Sequence, residues 1–311
     1  MWFTNALIFQ YELDDTANLQ TQLASERLKP CPPHARFIYG WMPAIGDELA
    51  HEVAGSVLVC MGKEERILPR GVIQRMLDEK VQAWEAQNGR AMKRAEKAQL
   101  AEELEFELLP KAFCVQKKMY ALFDTMNKRL IINSASANQA SQLTSLLRKS
   151  ILGLSIEPLH YDLNLATQFA EWINVPSSLP SNLELASDCL LFSPDDEKKR
   201  FNCKGYELPA DEILTLLSQG LEPAELSLVW NERVQFTLTQ DLVIKRMKCL
   251  DYLVDEFSEL RELEEEYQQK DAALTLLTGE LSGLIGDLKT AFNKPKVVAS
   301  NNAEATMVEP A

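Results

Sequence analysis

VLVCMGKEERILPRGVIQRML, residues 57–77, changes its apolar periodicity twice within a short span. Val57-Leu58-Val59-Cys60 is an apolar run, and Arg66-Ile67-Leu68 follows it as a second one. Gly62-Lys63-Glu64-Glu65 lies between them, so the two runs read as partners in a hairpin. Pro69 then suits the first turn of a helix. Ile73, Met76, Leu77, Lys80, Val81 and Trp84 continue with helical spacing. Strands running straight into a helix predict an α+β fold of mixed strands and long amphipathic helices.

The flanking sequence extends that pattern. Residues 2–13 read as a strand. Thr16 is a suitable N-cap for a short helix reaching Ser25, with Leu19 and Leu23 on one side. Pro30-Cys31-Pro32-Pro33 is a loop, and residues 37–41 form a short strand. Downstream, Asn88-Gly89 interrupts the first helix. The next helix, 91–108, starts basic (Lys93, Arg94, Lys97) and ends acidic (Glu102, Glu103, Glu105, Glu107). That order opposes the helix dipole, so tertiary contacts or a partner must hold it. Residues 112–123 and 129–133 form a hairpin, and a helix follows over 136–152 with Leu143, Leu146 and Leu147 inward. Five prolines punctuate 160–223, which reads as short elements joined by loops. Strands are predicted at 225–230, 234–238 and 242–247. Two amphipathic helices close the pattern, carrying Leu250 to Tyr267 and Leu274 to Leu288 at steps of three or four. Residues 1–292 are expected to form one folded body. Its parts are a basic α/β and helical part to about 160, a mixed α/β part over about 161–248, and a helix pair over about 249–292. Residues 293–311 are polar, lack periodicity and are expected to be disordered.

Composition narrows the functional classes. With 311 residues, 46% of them hydrophobic, the chain can bury a substantial core. No apolar run is long enough for a membrane helix, and the N-terminus lacks a basic secretory n-region; a cytoplasmic protein is expected. Cys31, Cys60, Cys114, Cys189, Cys203 and Cys249 show no C-x-x-C spacing, and His34, His51 and His160 are far apart. No zinc or other metal site is expected, and the thiols read as reduced. Metalloprotease, Walker A, nucleophile-elbow and dinucleotide motifs are absent. Gly279, Gly283 and Gly286 fall on a helical pattern and read as close packing. The expectation is a protein that is not an enzyme and needs no cofactor. The net charge of −14 alone disfavours a polyanionic partner. Its distribution does not: residues 60–150 hold 16 Lys and Arg against 11 Asp and Glu, whereas 251–290 hold 3 against 11.

Six blocks, read in order, resemble the RdgC family. They are Trp2-Phe3-Thr4-Asn5, Gly40-Trp41-Met42-Pro43, Lys63 to Pro69 running into Val72-Ile73, Leu108 to Phe113, Leu146 to Gly153, and Leu277 to Leu281. Each is weak alone; together they span residues 2 to about 290. The resemblance implies a nucleoid-associated, ring-forming homodimer. Such a dimer encircles double-stranded DNA without sequence preference and restrains RecA-dependent recombination. It also implies that Phe113 lies at the contact that closes the ring, and that a finger projects near 195–208. Lys204 is the finger's basic residue, while Gly205 and Tyr206 stand where relatives are more basic.

Phosphate contacts need mobile or forked cations without base-edge geometry. The candidates are Lys63, Arg66, Arg70 and Arg75, then Lys93, Arg94 and Lys97. Further candidates are Lys117, Lys118, Arg148, Lys149, Lys204, Lys245 and Arg246. Lys198-Lys199-Arg200 is a similar cluster, preceded by three acidic residues. On a strand, Lys117 and Lys118 point to opposite faces. The competing reading of such charge runs is a solvated surface. A second functional class is an acidic scaffold that acts on recombination proteins through its C-terminal helices.

Overall fold

The computed structural model describes residues 2–13, 18–161 and 163–292. The expected helix cap at Thr16 and the expected disordered tail at 293–311 lie outside the described residues. Residues 56–67 do not turn. They form one strand, Ser56–Ile67, which pairs along its whole length with Phe113–Asp124. The expected hairpin around Gly62-Lys63-Glu64-Glu65 is therefore corrected. The ladder runs unbroken from Ser56 opposite Asp124 to Ile67 opposite Phe113. Gly62 marks crowding instead of a turn, since a side chain there would collide with Met42 and Leu28. Gly40, its partner across the sheet, is crossed just as closely by the Leu28 backbone.

In chain order the strands are β1 (Leu7–Glu12), β2 (Phe37–Met42), β3 (Ala50–Val53), β4 (Ser56–Ile67), β5 (Phe113–Asp124), β6 (Arg129–Ile132), β7 (Ser155–Pro158), β8 (Leu183–Ser193), β9 (Asp196–Cys203), β10 (Glu222–Trp230), β11 (Val234–Thr239) and β12 (Ile244–Cys249). The helices are α1 (Leu19–Ala24), α2 (Arg70–Asn88), α3 (Arg94–Leu108), α4 (Ala137–Ser150), α5 (Leu165–Asn174), α6 (Asp211–Ser218), α7 (Asp251–Glu259) and α8 (Glu266–Phe292). Two antiparallel sheets result. One runs β2-β4-β5-β6-β1-β7 with β3 also on β4; the other runs β12-β11-β10-β8-β9. The class is α+β, as expected.

Strand alternation sorts the core. Val57, Val59, Ala121, Phe123, Leu130 and Ile132 face α1 and α4, packing with Leu23, Leu143 and Leu147. Leu58, Leu122 and Ile131 face the other way. There they join Leu226, Leu228 and Phe236 of the second sheet and Leu274, Leu277, Leu281 and Leu284 of α8. The middle of β4 is thus buried on both faces, which explains its continuous apolar run. The N-terminal segment stitches the sheets together. Ala6 exchanges backbone hydrogen bonds of 2.8 and 3.0 Å with Ile244, and Met247 donates to Thr4. His51 of β3 is buried between Glu48 and Asp271, tying β3 to α8.

Other expectations shift at their edges. The strand at 2–13 begins only at Leu7, because residues 4–6 serve the second sheet. The proline-rich middle holds two longer strands, β8 and β9, that spacing alone did not reveal. The first C-terminal helix stops at Glu259 and passes through a short 3-10 turn at Leu260–Glu262, so Leu250 to Tyr267 is not one seam. Of the three glycines in α8, only Gly283 packs closely, against Trp230. Arg233 clamps α7 and α8 to the second sheet through Glu256 and Glu280, each at 2.7 Å.

Candidate nucleic-acid interface

Beyond Met61, β4 and β5 leave the core as a ribbon. β4 turns from buried to half-buried at Lys63, and β5 is exposed from Phe113 to Lys118. Phe113 stands at the ribbon's tip with 86% of its surface exposed. Exposed Ile67 lies opposite it, and Val115 and Val72 are exposed nearby in the sequence. A phenylalanine this open contributes nothing to the core of one chain.

Arg66 fixes the base of that tip. Its guanidinium donates to the carbonyls of Cys31, Pro32, Leu109 and Ala112 at 3.1 to 3.2 Å, and to Pro110 at 3.4 Å. Five carbonyls from two loops meet one fork, a geometry lysine cannot reproduce. Arg66 is thereby committed to the backbone.

Lys63 and Lys117 sit opposite one another and share a single carboxylate, Glu65, at 3.1 Å each. The Lys63 ammonium also lies 4.7 Å from the centre of the Phe37 ring. The two ammonium groups, Lys117 first, hold the Glu65 carboxyl below the usual carboxylate range. Alternation sends Lys118 toward Tyr120 and Lys270, although it also borders the groove beside Lys63 and Lys117. Lys118 has no carboxylate at ion-pair distance among the described residues.

Helices α2 and α3 form a lightly packed hairpin in which Val81, Met92 and Leu104 are the buried apolar side chains. The acidic end of α3 is held as the dipole argument required. Arg36 pairs with Glu105, and Lys80 and Lys111 reach Glu107 at 3.7 and 3.5 Å. Glu96 accepts from the Lys93 backbone N–H and binds Arg90 through both oxygens. Those bonds, the Arg90 one first, depress its pKa to about 2. Of the expected cations here, Lys97 pairs with Glu85 at 3.5 Å and Arg75 loosely with Glu79 at 3.9 Å. Arg70 and Arg94 are exposed and have no carboxylate partner among the described residues. Lys93 lies exposed in the field of Glu96.

The remaining candidates are scattered. Arg148 donates to the Ile156 carbonyl at 2.6 Å, and Lys149 pairs with Glu26 at 2.8 Å. Lys245 and Arg246 converge on Glu225, at 2.8 and 3.9 Å. Lys204 follows β9 and is exposed without a carboxylate partner among the described residues. Glu26 for Lys149, Glu65 for Lys117, Glu85 for Lys97 and Glu225 for Lys245 were not legible as partners, because each lies on a different segment of the chain from its lysine. Among the described residues no group of His, Cys, Asp and Glu is placed to hold a metal ion, and no helix is long and apolar enough to cross a membrane.

Residues 1–295 match the family model described as "Putative exonuclease, RdgC". The proteins named "Recombination-associated protein RdgC" from Salmonella typhimurium, Salmonella typhi and Salmonella newport are each 33% identical over 294 residues. Each match covers 93% of this chain and 96% of the relative.

Proposed function

The chain belongs to the RdgC family, and from that premise we propose that it binds double-stranded DNA without sequence preference. In this reading two copies close into a ring around the duplex, and the bound ring restrains RecA-dependent recombination in the nucleoid. One observation carries the reading. In a molecule of net charge −14, the candidates Arg70, Lys93, Arg94, Lys118, Arg148 and Lys204 have no carboxylate at ion-pair distance among the described residues. Unneutralised cations on an otherwise acidic protein attract a polyanion while the acidic remainder repels it. The bare Phe113 tip supports closure by a second copy, since aromatic anchors favour interface centres. The action is steric and electrostatic: the ring obstructs the recombinase, and no bond is broken.

The test is a salt series on two unrelated duplexes. Equal affinities are expected, with log affinity falling against log salt by about 0.9 per phosphate neutralised. A preference for one short site, or a flat salt response, contradicts the reading.

A further inference from the structure

A groove of about 660 Å3 lies between the ribbon and the start of α4. Tyr39, Lys63, Lys117, Asn133, Gln139 and Gln142 are among the residues that line it. Donors outweigh acceptors in its lining, although Gln142 spends its NH2 group on Asn138 Oδ1 at 3.4 Å and keeps an acceptor oxygen. The Asn133 side-chain oxygen accepts from the backbone N–H groups of Thr4 and Asn5, at 3.1 and 3.2 Å. A backbone N–H can only donate, so the Asn133 amide is fixed with its NH2 group free. Ser134 Oγ accepts from the Ser136 N–H at 3.1 Å and gives its own proton to Gln139 Oε1 at 2.8 Å. Gln139 Oε1 is thereby engaged, and the Gln139 NH2 group has no hydrogen-bond partner among the described residues. Charge adds to this. Lys63 and Lys117 share one carboxylate, which leaves a net positive charge, and Lys118 at the border adds another. Two oriented amide donors and an excess of ammonium groups suit a ligand that only accepts hydrogen bonds and carries negative charge.

We propose that this groove is an oxyanion site that seats one phosphodiester of a nucleic-acid strand on Lys117, Lys63, Asn133 and Gln139. The inference rests on the DNA-binding reading and assigns it a specific contact. None of the donors must move far: the amides are already held by Thr4, Asn5 and Ser134, so ordering them costs little on binding. Glu65 holds both ammonium groups at 3.1 Å, which fixes where the two lysines stand beside the groove.

The test uses the full chain and the double variant Lys117→Gln/Gln139→Glu, whose two positions are exposed. One arm follows the side-chain amide resonances of Asn133 and Gln139 while the dinucleotide thymidylyl-thymidine or inorganic phosphate is titrated. Saturable shifts with the dinucleotide are expected in the wild-type chain. At Asn133 they should vanish in the variant. No shift, or shifts with inorganic phosphate but none with the dinucleotide, overturns the assignment. The other arm measures duplex affinity over a salt series. The variant should bind about tenfold more weakly, the scale of one or two lost charge-assisted bonds, with a slope shallower by about 0.9. Wild-type affinity and slope in the variant overturn the inference while leaving duplex binding intact. A wild-type chain that binds no duplex instead sinks the functional reading, and the dinucleotide arm still decides the groove.

Discussion

Arg66 and Phe113 sit beside each other in the ribbon yet do opposite work. Phe113 is open to solvent, so replacing it leaves the single chain's packing untouched. Phe113→Glu should give an unchanged circular dichroism spectrum and melting curve. Placed in an apolar contact, the carboxylate would be stripped of water, at a cost of about 2 kcal/mol or more unless it finds a partner. Sedimentation should then show a weakened dimer, and DNA retention should fall with it. A folded variant with wild-type dimer and DNA affinities would remove Phe113 from the interface. Arg66 is the reverse case. Its five carbonyl acceptors make Arg66→Ala a stability mutation of about 2–3 kcal/mol. Arg66→Lys separates the two possible roles. It keeps the charge but loses the fork, so it should destabilise almost as much while leaving the salt slope of DNA binding unchanged. A stable Arg66→Ala with a shallower slope would instead make Arg66 a phosphate contact.

At the scale of elements, the α2–α3 arm is nearly balanced, with 7 Lys and Arg against 8 Asp and Glu over residues 70–108, whereas the α7–α8 pair is strongly acidic. Lys93 and Arg94 are exposed on the arm, and Lys97 can leave Glu85 for a phosphate at small cost because that pair is exposed. The segment entering α8 carries Glu264, Glu265 and Glu266, the last paired with Lys270, and its excess acid repels a polyanion. Lys93→Ala/Arg94→Ala/Lys97→Ala should weaken binding to every duplex and flatten the salt slope by about two. Glu264→Ala/Glu265→Ala/Glu266→Ala should leave binding unchanged or slightly tighter. Equal slopes for the basic triple and the wild type would make the arm a solvated surface. The elements differ in how plainly the sequence announced them. The Pro69 start and Gly89 end of α2 were legible because both are local backbone signals; Gly89 takes φ 62° at the helix end. The false turn at Gly62 arose because glycine serves close approach as readily as a bend, and the Met42 and Leu28 contacts that decide it come from distant sequence. The strands β8 and β9 were hidden by interrupted apolar patterning: Asp196 to Arg200 alternates poorly, as an edge strand can. Among site residues, the cations could be read but not their neutralisation. Whether Lys245 is free depends on Glu225, which sits on a neighbouring part of the sheet and not in the local sequence.

Among the described residues, an acidic molecule carries cations without a carboxylate partner and an exposed apolar tip at Phe113, and its family membership gives that combination a setting. Charge alone would give binding that weakens steeply with salt on any DNA form. Closure adds a property that charge cannot: a ring threaded on a duplex without ends stays on after its phosphate contacts are screened. The measurement is therefore retention after a salt challenge. The protein is loaded at low salt on a nicked circular duplex and on the same duplex cut once, and both are shifted to about 1 M salt, where the screening length falls to about 3 Å. The account predicts that protein persists on the circle and slides off the linear form, and that Phe113→Glu leaves both alike. Equal loss of the wild-type protein from circle and linear duplex would contradict encirclement.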